Sequence, residues 1–300
     1  MKINIEKIKK KKSIKELLEF GIINIDKPLG PTSFDISDFV RKMLSEFGVH
    51  KTSHFGTLDP KVTGILPIAL NRACKLTGFF LGEDKEYMGI MRVHEDLPLA
   101  KIRKMIKEKF TGIIIQKPPV KSRVKRQNRE REIKSFDLIE KDEKDILFRT
   151  EVQGGTYIRK LIDDLGKALG IGAHMLELRR IRAGIFKEDD KKYPSSTLYD
   201  LEKAIKSLSE GNEEEIREII VPAEIVSDVY KIVEIKEDYV RDTFLGRPIL
   251  KEAVKTKGKW EREEKVSVFS GERFIGMFKV LGLEDSDIFA KAEFVLQPIK

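Results

Sequence analysis

The chain has 300 residues, room for one large domain or a large and a small one, and its 40% hydrophobic content is enough for a packed core. Lys and Arg number 58 against 50 Asp and Glu, a net charge of +8 that points to a polyanionic partner and says nothing of fold. A lone cysteine, Cys74, excludes an internal disulfide; with four histidines it cannot build the usual zinc spacings, and no apolar run reaches membrane length.

Residues 1–20 carry seven lysines against Glu6, Glu16 and Glu19. They lack the apolar centre and cleavage site of a secretion signal, so a cytoplasmic location is expected. Gly21 to Ile25 reads as a strand that enters the turn-rich stretch Asp26 to Ser33. Thr32 or Ser33 then caps a helix with apolar positions 36, 39, 40, 43, 44 and 47. A polar loop, His54 to Gly64, follows and holds Asp59-Pro60 just ahead of the apolar run Ile65 to Leu70. The pattern next predicts a helix around 71–80, a strand around 86–93 and a basic amphipathic helix near 99–110. Ile113 to Ile115 lead into Lys117-Pro118-Pro119, where the prolines end any regular element.

Residues 117–134 hold eight basic groups against Glu130 and Glu132, a local excess that marks nucleic acid better than the total does. A solvated surface face is the plainer reading of the same cluster. Strands are expected at 132–140 and 145–152. After Gly154-Gly155, apolar residues at 158, 161, 162, 165, 168 and 169 describe a one-faced helix that ends at Gly170. Two helices fill 194–220, with Ser195 or Ser196 as a cap. A boundary falls near Pro222. Beyond it five short strands (229–235, 247–250, 265–270, 273–281 and 288–297) and a helix near 236–244 suggest a small β-barrel-like module.

Asp59 is the candidate for chemistry. A carboxylate is ionised at neutral pH and needs no activating base to act as a nucleophile. Arg159, on the first turn of the helix behind Gly154-Gly155, can hold it bidentately and keep it deprotonated inside a pocket. Tyr87 opens a strand, where its ring could stack on a base with the hydroxyl free to handle a proton. His54 could stack or hydrogen-bond near RNA, and Leu178 could wall a base pocket. Each has a bland alternative: a turn aspartate, a surface arginine, a core tyrosine, a solvated histidine, a filler leucine.

Four blocks in order, Gly21 to Ser33 (GIINIDKPLGPTS), His54 to Gly64, Lys85-Glu86-Tyr87 and Gly155 to Gly166 (GTYIRKLIDDLG), resemble the TruB/dyskerin family of RNA pseudouridine synthases. Pro118 to Lys125 (PPVKSRVK) and Gly172 to Gly184 (GAHMLELRRIRAG) match as well. The resemblance implies an α+β fold, a pseudouridine synthase core on a central, mostly antiparallel sheet at residues 21–225. It further implies a C-terminal PUA pseudo-barrel at 226–300, with residues 1–20 packing on it. It makes Asp59 catalytic, Tyr87 the stacking ring, Arg159 the carboxylate's partner, Leu178 a pocket wall and His54 a neighbour of the flipped-out base. Lys121, Arg123, Lys125, Arg126, Arg179 and Arg180 would hold RNA phosphates.

The blocks around Asp59 and Leu178 look most like the archaeal catalytic subunit of the box H/ACA ribonucleoprotein. That reading implies RNA-guided conversion of uridine to pseudouridine in rRNA or tRNA, with guide RNA, substrate RNA and small accessory proteins as partners. It implies no cofactor, no metal and no membrane. A stand-alone synthase acting on the tRNA T-loop and a non-catalytic RNA scaffold are the alternatives. A glycosidase ranks last, because no second acid accompanies Asp59 in its loop. Two departures from the family pattern stand out: Phe55 replaces a small residue, and Gly246-Arg247-Pro248 lacks the usual features of the guide-binding loop.

Overall fold

The computed structural model describes residues 2–118, 125, 127–282 and 287–297. Two short helices open the chain, α1 (Ile5–Lys11) and α2 (Ile14–Glu19). Among the described residues, ten strands then build one sheet: β1 (Gly21–Lys27), β2 (Thr52–His54), β3 (Val62–Leu70), β4 (Lys85–Val93), β5 (Gly112–Gln116), β6 (Arg129–Asp142), β7 (Asp145–Val152), β8 (Ala173–Ala183), β9 (Phe186–Lys187) and β10 (Ile220–Pro222). Their order is β10-β1-β3-β8-β4-β7-β6-β5, with β2 beside β3 and β9 beside β8. Among the described residues β3 and β8 run parallel and the other pairs are antiparallel. The fold is mixed α+β, as expected.

Between the strands lie α3 (Ser33–Met43), α4 (Thr77–Leu81), α5 (Leu99–Lys109), α6 (Ile158–Leu169), α7 (Leu198–Ser209) and α8 (Glu214–Ile219). Strand alternation decides which face they cover. In β4 the buried positions are Lys85, Tyr87, Gly89, Met91 and Val93, while Glu86, Met88 and Ile90 stay half-buried. The buried face shares one core with Ile102 and Ile106 of α5 and Ile158, Leu161, Ile162 and Leu165 of α6. Each such aliphatic side chain contributes at most roughly 1.5–3 kcal/mol. Gly166 brings α6 close: a Cβ there would stand 2.1 Å from the Ala173 nitrogen. The helix ends at Gly170, whose φ of +75° makes the left-handed cap that the sequence predicts. A groove of about 1160 Å³ is lined in part by the half-buried residues Glu86, Met88 and Ile90 of β4 and Arg179 and Arg182 of β8.

One cap differs from expectation. Thr197, not Ser195 or Ser196, closes a capping box with Asp200 at the start of α7. Ser196 is occupied elsewhere: its N–H donates to the Asn24 carbonyl (2.8 Å) and its carbonyl accepts from Asp26 (2.9 Å), which extends the sheet beside β1.

A second sheet contains β11 (Ile232–Glu234), β12 (Ile249–Leu250), β13 (Lys265–Ser270), β14 (Arg273–Val280) and β15 (Ile288–Val295), in the order β11-β13-β14-β15-β12, with α9 (Val240–Phe244) among them. Hydrogen bonds from Lys236 N to Ala253 O (2.9 Å) and from Lys255 N to Glu234 O (2.8 Å) join the two ends of this order. The sheet therefore curls around its own core of Val233, Ile235, Val266, Val268, Phe278 and Phe289. The N-terminal helices lie against it. Ile3, Ile5, Ile8 and Phe20 share a core with Phe269, Phe274 and Met277, and Lys7 pairs with Glu272 at 2.6 Å. The apolar contact dominates there, since an exposed ion pair contributes little.

Candidate active site

Asp59 lies in the connection from β2 to β3, and backbone hydrogen bonds tie that loop down along its length. Phe55 N–H donates to the Pro67 carbonyl, Val62 N–H to the Asp59 carbonyl and Gly30 N–H to the Pro60 carbonyl, each at 2.9 Å. The Ser33 hydroxyl donates to the Leu58 carbonyl (2.9 Å) and accepts from the Leu58 N–H (2.7 Å). The turn-rich stretch before α3 is thus the frame on which the aspartate loop is fixed. Lys27, fully buried at the end of β1, donates its ammonium to the Pro28 carbonyl at 2.7 Å and reaches the Pro60 carbonyl at 3.5 Å. Burial pushes its pKa down, and the Asp59 charge opposes that push.

The Asp59 carboxylate meets the Arg159 guanidinium. Both side chains are about half exposed, 48% and 56%, so the carboxylate is not enclosed in a protein pocket as the sequence suggested. A bound substrate would have to supply the cover. Arg159 is the second residue of α6, and Gly154 ahead of it is closely packed. A Cβ on Gly154 would stand 2.7–2.9 Å from the carbonyl oxygens of Leu81, Gly82 and Glu83. Glycine is there because backbone approaches backbone.

Strand register brings the other residues together. Tyr87 on β4 lies opposite Arg180 on β8, Gly89 lies opposite Leu178, and Leu178 pairs in turn with Val62, three residues after Asp59. Tyr87 and Leu178 are each 8% exposed and belong to the same core cluster as Leu58. Tyr87 is the third residue of its strand, and the buried Arg180 guanidinium interacts electrostatically with its phenol. His54, the last residue of β2, is half-buried opposite Ile68.

Two further buried cations shape this region. Arg180 is 1% exposed; its Nε donates to the Ile65 carbonyl (2.7 Å) and its Nη2 to the Gly56 carbonyl (3.1 Å). Lys85, 4% exposed, points its ammonium at the carbonyls of Phe80, Leu81 and Glu83 around the end of α4. Burial brings its pKa down to about 8, with the Arg180 charge adding to the shift. The sequence singled out neither Lys27 nor Lys85 for a role, although both stand in the matched blocks; a lysine at a strand end was the available signal.

Residues 41–103 match the family described as TruB family pseudouridylate synthase (N terminal domain), and residues 159–227 match the tRNA pseudouridylate synthase B C-terminal domain. A probable tRNA pseudouridine synthase B of Methanocaldococcus jannaschii is 45% identical over 233 residues, 77% of this chain and 66% of that protein. The Pyrococcus abyssi protein of the same name is 45% identical over 231 residues, 77% of this chain and 67% of its own length. The match thus spans about two thirds of these relatives. A chain from a solved Cbf5-Nop10-Gar1 complex superposes with a TM-score of 0.88 at 37% identity, covering 97% of this chain and 89% of that one. A chain from an H/ACA RNP bound to a substrate RNA containing 2'-deoxyuridine gives 0.86 at 35% identity, with 97% and 89% covered. The chain belongs to the TruB family of pseudouridine synthases.

Within this TruB-family fold, one of the expected phosphate contacts, Arg180, needs correction. Arg180 is a buried brace between β8 and the aspartate loop, for the reasons above. Arg179 grips both Asp26 oxygens (3.0 and 2.8 Å) and also Glu188, and the Asp26 hydrogen bonds above all hold its charge in place. Lys125 is exposed. Lys121, Arg123 and Arg126 lie outside the described residues. Phe55 turns into the interior, 2% exposed and stacked on Phe80 at 4.6 Å, so its bulk fills a core and does not crowd the approach beside His54.

Proposed function

We propose that this protein isomerises uridine to pseudouridine in RNA, with Asp59 as the catalytic carboxylate, and works as the guide-directed subunit of a box H/ACA ribonucleoprotein. The observation that carries the reading is a loop aspartate, braced along its backbone, whose half-exposed carboxylate meets the Arg159 guanidinium, in a loop that leads into β3 where Val62 pairs with Leu178. In the reaction the N1–C1' bond of the nucleoside breaks, uracil turns, and C1' bonds to C5. The C5 proton leaves and N1 gains one, so nothing is oxidised or reduced. The target nucleotide must leave its stack to reach Asp59. Tyr87 and Leu178 then line its site, His54 borders it, and exposed cations such as Lys125 hold phosphates.

Two features favour the guide-directed form. The superposition on chains from H/ACA complexes extends over 97% of this chain, including the second sheet, which we read as a PUA-type RNA-binding module. Edge strand β5 exposes Ile113 and Ile115 (73% and 67%), an apolar landing for a small accessory protein. The names of the curated relatives favour the second reading, a stand-alone tRNA synthase. Mapping pseudouridine in a target RNA, with and without a two-hairpin guide, separates them. Product that needs the guide supports the first reading, product on bare tRNA the second, and no product in either mixture overturns both.

A further inference from the structure

Ile158 and Leu161 bury the inner face of the first turn of α6, but no side chain of the helix caps the end that carries Arg159. Tyr157, the N-cap residue, sends no side-chain hydrogen bond into the helix, and the first turn holds no acidic residue. The hold comes from Gln116, the last residue of β5, which is distant in sequence and only 2% exposed. Its Oε1 accepts the Tyr157 N–H at 3.0 Å, and its Nε2 donates to the Tyr157 carbonyl at 3.3 Å. The same carbonyl accepts the first hydrogen bond of the helix, from Leu161 N–H at 3.0 Å. A side-chain amide therefore stands in for a neighbouring peptide and clamps the N-cap on both its polar groups.

The turn ahead of it is gripped from the same side of the sheet. Gln153 N–H donates to the Glu132 carbonyl (2.8 Å), and the Arg131 guanidinium fills the space beside Gly155, 3.2 Å from where a Cβ would stand. Gln116 is the last link in this row, and the residue it holds, Tyr157, stands two residues before Arg159. The Arg159 side chain is more exposed than buried, so packing does little to set its direction; its aim at Asp59 depends on where the helix begins.

We propose that Gln116 is a positioning residue: its buried amide fixes the first turn of α6 and, through it, holds the Arg159 guanidinium on Asp59. The inference rests on the reading of Asp59 and Arg159 given under the proposed function. Displacements near 1 Å at a reacting pair are enough to cost rates of about a hundredfold. Gln116 is itself buried and offers RNA no contact, so the effect belongs in the rate and not in the affinity.

The test compares the full-length wild type with Gln116→Met, which keeps the length and loses both hydrogen bonds. Gln116→Glu keeps the acceptor and loses the donor, and Ile102→Ala is a control that lowers stability in the core shared by α5 and α6 without removing a Gln116 hydrogen bond. Single-turnover pseudouridine formation at saturating RNA, RNA Kd and Tm are measured in the RNA mixture that supports wild-type turnover. The expected result is a rate at least about tenfold lower for Gln116→Met with Kd within about twofold, an intermediate rate for Gln116→Glu, and an unchanged rate for the control. A wild-type rate in Gln116→Met, or a rate loss that Ile102→Ala reproduces, overturns the proposal. If Gln116→Met does not fold, Gln116→Glu decides alone: a wild-type rate there overturns the clamp, and a slowed one supports it. A wild type that makes no pseudouridine in any mixture defeats the proposed function itself, which is a different outcome.

Discussion

Two arginines meet the aspartate loop from different elements, and they do opposite things. Arg180 comes from β8, is 1% exposed, and donates to the Gly56 and Ile65 carbonyls. Arg159 comes from the first turn of α6, is about half exposed, and ends on the Asp59 carboxylate. A guanidinium that satisfies backbone carbonyls is part of the frame, because leaving those groups buried and unpaired is costly. One that ends on an exposed carboxylate can change partners when a polyanion arrives. Residue type is the same in both places; burial and the nature of the acceptor separate scaffold from site.

The contrast breaks most sharply at Asp59. Asp59→Asn keeps the shape of the loop and removes the charge, so pseudouridine formation should fall by at least about a thousandfold while RNA Kd stays within about threefold. Product at the wild-type rate would remove Asp59 from the chemistry. Arg180→Met should act on stability: a buried polar cluster loses its donor, at a cost of about 3 kcal/mol or more read from the urea midpoint. A fully stable but inactive Arg180→Met would reverse the roles assigned to the two arginines. Arg159→Lys keeps the charge and loses the planar fork, so turnover should drop roughly 10- to 100-fold with little change in Tm.

The same contrast shows how far sequence alone reaches. α6 was legible because its apolar residues recur at helical spacing and Gly170 stops it, and the place of Arg159 on that helix followed. β8 was not. Glu177, Arg179, Arg180 and Arg182 interrupt any alternation, and the strand forms because β4 and β3 flank it on both sides. A strand stabilised by its neighbours carries little local signal. For the same reason Arg179 and Arg180 read as surface cations: their partners, Asp26, Ile65 and Gly56, are far away in the chain. The Thr197 cap was hidden by two serines just ahead of it, one of which the β1 edge had claimed. Lys27 and Lys85 lay in the matched blocks, yet only the fold shows which carbonyls surround their ammonium groups.

Lys85 gives a smaller effect, in pH. Its folded pKa is lowered to about 8 by burial, against an ordinary value of 10.5. Between those values the unfolded chain binds more protons than the folded one, so stability rises with pH from about 8 towards 10.5 and is independent of this group below 8. The rise should total about 3 kcal/mol over that interval and should vanish in Lys85→Met. Chemical denaturation at a series of pH values checks it; an unchanged rise in Lys85→Met would assign the effect to other lysines.

The smallest expected effect tests the frame against the RNA surface directly. Arg179 is already neutralised by Asp26 and Glu188, whereas Lys125 is exposed. Each phosphate contact contributes roughly 0.7–0.9 to the slope of log K against log salt. Lys125→Gln should therefore flatten the salt dependence of RNA binding by about that amount, and Arg179→Gln should leave it unchanged. An equal loss of slope in both variants would mean that Arg179 leaves its carboxylates for a phosphate when RNA binds. β8 would then belong to the RNA surface after all, and burial in the free protein would no longer separate the two kinds of arginine.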